Sequence, residues 1–163
     1  DCCCMVLGDN IFYGAGLRRL LQSAVENAEQ NRRATVFGYH VEDPGRFGIV
    51  EFDRENRVVS LEEKPAVPKS NYAVTGLYFY DNRCVDYAEG LTPSARGELE
   101  ITDLNRLYLQ AGDQQGVEIS SPEEVAYING WITADDLAAA AKTYGKSAYG
   151  AYLQAVVRGE IQY

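Results

Sequence analysis

The chain has 163 residues, 46% of them hydrophobic and 24% charged, with a formal net charge of −9. That length suits one domain with a sizeable core. The acidic balance repels polyanions and argues against nucleic acid as a partner, although one Lys and one Arg suffice to hold the phosphate of a nucleotide. No run of about 18 apolar residues marks a membrane span, and the first residues lack the charged and apolar regions of a secretion signal. The cysteines are Cys2, Cys3, Cys4 and Cys84, and the single histidine is His40. Three adjacent cysteines make no secreted-type disulfide framework, and zinc needs spaced ligands. Cys2 to Cys4 are therefore expected to be reduced residues at the start of a buried strand, in a cytoplasmic protein.

In chain order, the apolar run Cys3–Leu7 ends at Gly8-Asp9 and predicts a buried strand with an acid at its carboxyl end, where ligands gather in open α/β sheets. Leu17, Leu20, Leu21, Ala24, Val25 and Ala28 recur at helical spacing, predicting a helix over 16–30. Ala34–Tyr39 reads as a second strand, so strand, helix and strand suggest a parallel βαβ unit. Asp43-Pro44-Gly45 is a turn. Gly48–Asp53 and Val58–Glu62 read as two strands joined at Arg54-Glu55-Asn56. Tyr72–Tyr80 is the longest strand pattern. Asn82–Glu89 and Glu98–Gln110 read as helices, the second stopped by Gly112.

Asp113–Gly116 reads as a polar, turn-like junction and sets a boundary. Residues 1–112 form the α/β part and 113–163 a helical subdomain. Within the latter, Ser121-Pro122-Glu123-Glu124 is a helix start with cap, proline and acids. Thr133 with Asp136 is a capping box opening a helix to about Tyr144, and Ser147–Arg158 is the last helix.

Several polar residues have a chemical and a structural reading. Asp9 offers the hard oxygen that Mg²⁺ takes, or it closes an Asx-turn or caps a helix. Glu63 and Lys64 can hold hydroxyls and a phosphate, or form a solvated strand end. Gly48 permits close backbone approach to a ligand, or marks a strand kink. Val74 sits where main-chain groups reach a ligand, or packs in the core. Arg96 can clamp a phosphate at a helix start, or pair on the surface with Glu98 or Glu100. His40 has no catalytic partner at suitable spacing, and no nucleophile elbow of the Gly-x-Ser-x-Gly kind is present.

Leu7-Gly8-Asp9-Asn10, Glu62-Glu63-Lys64-Pro65, Asn71-Tyr72-Ala73-Val74-Thr75-Gly76 and Arg96-Gly97-Glu98-Leu99-Glu100 together resemble the sugar nucleotidyltransferases, and within them the glucose-1-phosphate thymidylyltransferase group. The resemblance is close from about Met5 to Gly112 and looser from about Gly116 onward. It implies a partial Rossmann-like, glycosyltransferase-A-like α/β fold, with a mixed, mostly parallel sheet, flanking helices and a small C-terminal helical subdomain. It implies transfer of a nucleotidyl group from dTTP to glucose 1-phosphate, giving dTDP-glucose and pyrophosphate with Mg²⁺ as cofactor and no covalent intermediate.

By the same resemblance Asp9 binds the metal and Asn10 faces the sugar phosphate. Glu63, Gly48 and Val74 contact the hexose, and Lys64 and Arg96 hold its phosphate. Tyr13, Gly14, Glu123 and Glu124 resemble a separate regulatory nucleotide site, although Ile128 stands where a basic residue is expected. The group forms homotetramers. This sequence does not contain the family's opening G-G-x-G-T-R-L loop, the Lys downstream of it, or the base-reading segment. It also lacks the W-L-D-T-G motif that supplies a second metal acid, because Trp131-Ile132-Thr133 has another context. The chain is thus expected to be truncated at its N-terminus and shortened near Asp113–Gly116. A second expectation follows, that of a non-catalytic sugar-phosphate-binding or subunit-interaction fragment.

Overall fold

The computed structural model describes residues 1–14, 16–53, 57–119, 121–145 and 147–160. They divide into two compact units, one of residues 1–12 and 20–119, the other of residues 13–19 and 120–163.

The first unit is built on a six-stranded sheet. Its strands are β1 (Cys2–Val6), β2 (Ala34–His40), β3 (Gly48–Phe52), β4 (Val58–Glu63), β5 (Tyr72–Asp81) and β6 (Gln114–Glu118). Helix α1 (Leu17–Glu29) precedes β2, and α2 (Arg83–Glu89) and α3 (Ile101–Gln110) lie between β5 and β6. These elements follow the sequence patterns closely. The join at 54–56 lies outside the described residues.

Strand order runs β4-β3-β5-β2-β6, with β1 also on β5. The sheet is mixed, as expected, but it is not mostly parallel. Among the strand pairs of the described residues only β2 with β6 is parallel. β1 and β2 do run the same way, as a βαβ unit demands, but β5 lies between them and opposes both. A strand from far along the chain fills that place, and local periodicity carries no information about such insertion.

Alternation along β5 builds both faces of the sheet. Leu77 and Phe79 are buried with Ala24 of α1, Phe37 and Ile119, and Leu20 and Leu21 pack against them. The Phe37 and Phe79 ring centroids are 6.0 Å apart. On the opposite face Tyr78 stacks on Tyr80 and Tyr80 on Tyr108 of α3, while the Tyr80 hydroxyl donates to Asn105 Oδ1 at 3.1 Å. The carboxyl end of β5 is clasped by Arg83. Its guanidinium donates to Asp81 and to Asp113 at 2.7 Å each, and the Tyr108 hydroxyl donates to Asp81 at 2.7 Å. Burial works against ionisation of Asp81, but the Tyr108 and Arg83 hydrogen bonds prevail and hold its carboxyl below the ordinary range.

Three local expectations are corrected. Cys2, Cys3 and Cys4 are exposed rather than buried: among the described residues β1 has a ladder on one edge only, and an apolar run does not reveal which faces are covered. Gln114–Gly116 belongs to β6 rather than to a turn. Gly116 is required there because a Cβ would stand 2.1 Å from Phe52 Cε1; the bare backbone makes room for a ring. Helix α3 starts at Ile101, with Glu100 extended at its N-cap, because a turn comes first. In that turn the Gly97 N–H donates to the Ser94 carbonyl at 2.8 Å, and Gly97 takes a φ of +77°.

In the second unit α4 (Pro122–Ile128) and α5 (Ala134–Thr143) each open on a complete capping box, Ser121 with Glu124 and Thr133 with Asp136. Helix α6 (Ala148–Val157) is capped by Ser147, whose side chain accepts from the Gly150 N–H. Leu137, Leu153 and Val156 are buried.

Candidate functional site

The central strand places the site. β2 occupies one edge of β5, so β1 and β3 share the other. β1 pairs with Leu77–Asp81 and β3 with Tyr72 and Ala73. Val74, Thr75 and Gly76 lie between the carboxyl end of β1 and the amino end of β3. At about 3.3 Å per residue that stretch is roughly 10 Å long.

On the β3 side, Gly48 pairs with Glu63 in the β3–β4 ladder. Glu63 Oε2 accepts from the Thr102 hydroxyl at 2.6 Å. Glu63 Oε1 stands 3.8 Å from Lys64 Nζ and 3.9 Å from a guanidinium nitrogen of Arg96. A Cβ at Gly48 would lie 3.1 Å from both Glu63 Oε2 and Thr102 Oγ1. The glycine thus leaves space for this hydrogen bond as well as for a close backbone approach.

Lys64 has left-handed backbone, φ 40°, and its N–H donates to the Phe47 carbonyl at 3.0 Å. This bend turns the chain out of β4 immediately after Glu63. Arg96 pairs with Glu98 at 3.0 Å and Glu100 at 3.6 Å, and Glu100 also accepts from Ser94 at 3.0 Å. The surface-pairing reading of Arg96 is met, since Glu98, Glu100 and Glu63 all lie around its guanidinium. Burial, with the charge of Glu63 nearby, pushes the Tyr78 phenol up to about 12. Glu62 turns away to pair with Lys69, a contact that holds its carboxyl low.

The β1 side is organised by Asn10. Its amide donates to Asp9 Oδ1 at 2.7 Å, and its Oδ1 accepts from the Gly76 N–H at 3.0 Å. The Leu7 N–H donates to the Gly76 carbonyl at 2.8 Å. Both main-chain groups of Gly76 are therefore engaged within the protein, and Asn10 orients Asp9 from the same strand that borders the Glu63 cluster. Gly76 has no Cβ because one would lie 2.7 Å from Leu7.

Among the described residues no three His, Cys, Asp or Glu side chains stand together as a metal cluster. Asp9 is exposed and offers one carboxylate. Mg²⁺ commonly takes one or two carboxylates and completes its shell with water and phosphate. Asp9 therefore fits as one ligand of a site shared with a substrate phosphate.

Lys64, Arg96, Glu63 and Gly48 are brought together, with Val74 on the strand beside Gly48. Thr102 and Ser94 belong to the same cluster and are missed by motif reasoning, whereas Glu100 is the surface partner that the Arg96 motif already offered. Only the place of Thr102 in the first turn of a helix near Arg96 could have drawn attention to it. In the second unit Tyr13 is exposed, and the Gly14 carbonyl accepts from Leu17 at 3.4 Å. Glu123 accepts from the hydroxyls of Tyr144 at 3.1 Å and Tyr149. Glu124 is fully buried, where it accepts from the Ser121 N–H at 3.2 Å and the Tyr152 hydroxyl at 2.6 Å.

Residues 1–132 match the sequence model of the nucleotidyl transferases. The chain belongs to the nucleotidyl transferase family. Members of the family generally work with a divalent metal ion. This nucleotidyl transferase chain is 46% identical to the glucose-1-phosphate thymidylyltransferase of Xanthomonas campestris pv. campestris, with 95% of this chain and 63% of the relative covered. For the proteins of that name in Neisseria gonorrhoeae and Mycobacterium tuberculosis the identities are 45% and 40%. There the alignments cover 92% and 94% of this chain and 62% and 63% of the relatives. The chain thus spans less than two thirds of their length.

The Xanthomonas alignment is 188 residues long, longer than this 163-residue chain, so the relative carries internal residues with no counterpart here. A crystal structure from Bacillus anthracis, described as a glucose-1-phosphate thymidylyltransferase in complex with a sucrose, superposes with a TM-score of 0.61 at 42% identity. It covers 74% of this chain and 47% of the other. No helix among the described residues is long and apolar enough to cross a membrane.

Proposed function

We propose that this chain holds the sugar phosphate in a glucose-1-phosphate thymidylyltransferase, which joins glucose 1-phosphate to the thymidylyl group of dTTP and releases pyrophosphate. The observation that carries this reading is the convergence of Lys64 and Arg96 on Glu63 beside the stretch of β5 that neither β1 nor β3 covers. Two cations set among Glu63, Glu98 and Glu100 suit a ligand that carries both a phosphate and vicinal hydroxyls. Glu63 accepts from hexose hydroxyls, and Thr102 fixes the carboxylate by occupying its other oxygen. Gly48 and Val74 let the backbone approach the ring. Lys64 and Arg96 hold the phosphate and orient one of its oxygens for in-line attack on the nucleotide α-phosphorus. The acceleration comes from positioning and charge neutralisation rather than from a nucleophilic side chain.

Asp9, oriented by Asn10, would bind Mg²⁺, which neutralises phosphate charge when bound. The same resemblance gives dTDP-glucose as product and a homotetramer as assembly, and the free cysteines suit the cytoplasm as compartment. Ile128 and Trp131, exposed in the second unit, suit subunit contacts.

The test is calorimetry of glucose 1-phosphate and of dTTP with the purified chain and Mg²⁺, with pyrophosphate release assayed in the same sample. Glucose 1-phosphate binding that weakens about tenfold in Lys64→Ala is expected, since a phosphate ion pair in a half-buried site contributes of the order of 1–2 kcal/mol. Binding without turnover favours the sugar-phosphate-binding fragment. Unchanged binding in Lys64→Ala and Arg96→Ala overturns the assignment of the site.

A further inference from the structure

The thiols of Cys3 in β1 and Cys84 in α2 lie outside the site, 81 positions apart in sequence, with their sulfurs 3.6 Å apart. Strand alternation makes the pairing selective. Cys2 faces α1, where its Sγ stands 3.5 Å from Glu29 Oε1. Cys3 points to the opposite face, toward α2, and Cys4 shares the side of Cys2. Only the middle member of the three-cysteine run therefore meets Cys84. Both partners are free thiols, Cys3 exposed and Cys84 half-buried. A bonded pair of sulfurs is about 2.05 Å apart, so closure requires roughly 1.5 Å of approach, within reach of small side-chain rotations.

We propose that Cys3 and Cys84 are a redox-sensitive pair that closes to a disulfide by exchange with a small-molecule disulfide and so pins β1 to α2. The exposed Cys3 thiolate attacks the small disulfide, forming a mixed disulfide and releasing one small thiolate. Cys84, once deprotonated, attacks Cys3 Sγ and expels the second. Two protein thiols are oxidised, one small disulfide is reduced to two thiols, and the protons pass to solvent or to the released thiolates. The second step is the slow one, because burial, with Cys3 and the charge of Asp81 nearby, pushes the Cys84 thiol up to about 11.

The bond matters because β1 has a ladder on one edge only among the described residues, and Cys3 stands six residues before Asp9. Pinning Cys3 holds that strand, and hence the β1 side of the site, against the body of the sheet.

The experiment treats the full chain with oxidised glutathione and reads intact mass, disulfide-linked peptides and melting temperature. The expected species has lost two hydrogens, links the peptides containing Cys3 and Cys84, and melts roughly 5–10 °C higher, as a crosslink closing a long loop should. Cys3→Ser and Cys84→Ser should each abolish it, whereas Cys2→Ser and Cys4→Ser should leave it intact. Glutathione retained on Cys3 without closure overturns the proposal. So does a link from Cys2 or Cys4 to Cys84, a preference for the Cys3–Cys84 link that survives in denaturant, or closure without a change in melting temperature.

Discussion

Thr102→Val removes one hydroxyl and almost no volume. It takes from Glu63 Oε2 a donor at 2.6 Å while leaving the contacts of α3 in place. Thr102 is buried, and the side chain of Glu63 is 23% exposed. A hydrogen bond to a charged group contributes about 1.5–3 kcal/mol when buried; partial access of water to Glu63 reduces that to about 1 kcal/mol. For a chain of this size the melting temperature should fall by roughly 2–4 °C.

The freed carboxylate should then swing toward Lys64 and Arg96 and compete with an incoming phosphate. The Kd for glucose 1-phosphate should weaken about fivefold or more, of the order of 1 kcal/mol. Thr102→Ser keeps the donor and should recover most of both losses. Thermal melts and calorimetry on the two variants decide the matter. If Thr102→Val melts and binds like the parent, or if Thr102→Ser fails as badly, Thr102 does not position Glu63 and the reasoning is wrong.

Tyr108→Phe removes the donor to Asp81 and should cost about 1–2 kcal/mol near neutral pH. Asp81 titrates below its ordinary range in the folded protein, so the stability it contributes is present above the unfolded carboxylate value of about 4. That stability is lost as pH falls through the folded value. The difference in melting temperature between parent and variant should therefore shrink below about pH 4, and a constant difference would contradict this account. Gly116→Ala drives a methyl into the Phe52 ring and should destabilise by about 1–3 kcal/mol. Normal melting of that variant would show that Phe52 does not need the glycine.

Most elements were legible because they rest on local signals. The caps at Ser121 and Thr133, the alternation of Tyr72 to Tyr80 and the stripe of Leu20, Leu21 and Ala24 each specify an element within a few residues of themselves. The clusters around Asp9, Glu63 and Arg96 were legible as motifs. Strand order was not, because β5 enters between β1 and β2 through pairings more than thirty positions distant in sequence. Gly116 was misread because a strand glycine that yields to a ring has the same letter as one that makes a turn. Thr102 stayed hidden because its partner lies 39 residues away, and no spacing rule relates the end of a strand to the first turn of a later helix.

The edge that β1 and β3 share on β5 also fixes a timetable for synthesis. The β1–β5 ladder joins Cys2 to Asp81, so that pairing cannot form until β5 has left the ribosome. At 5–20 residues per second that wait is about 4–16 s. Glu63 must wait longer still for Thr102. The β1–β5 ladder therefore waits until about half of these 163 residues have been made, and both walls of the candidate site are completed only after the central strand has arrived.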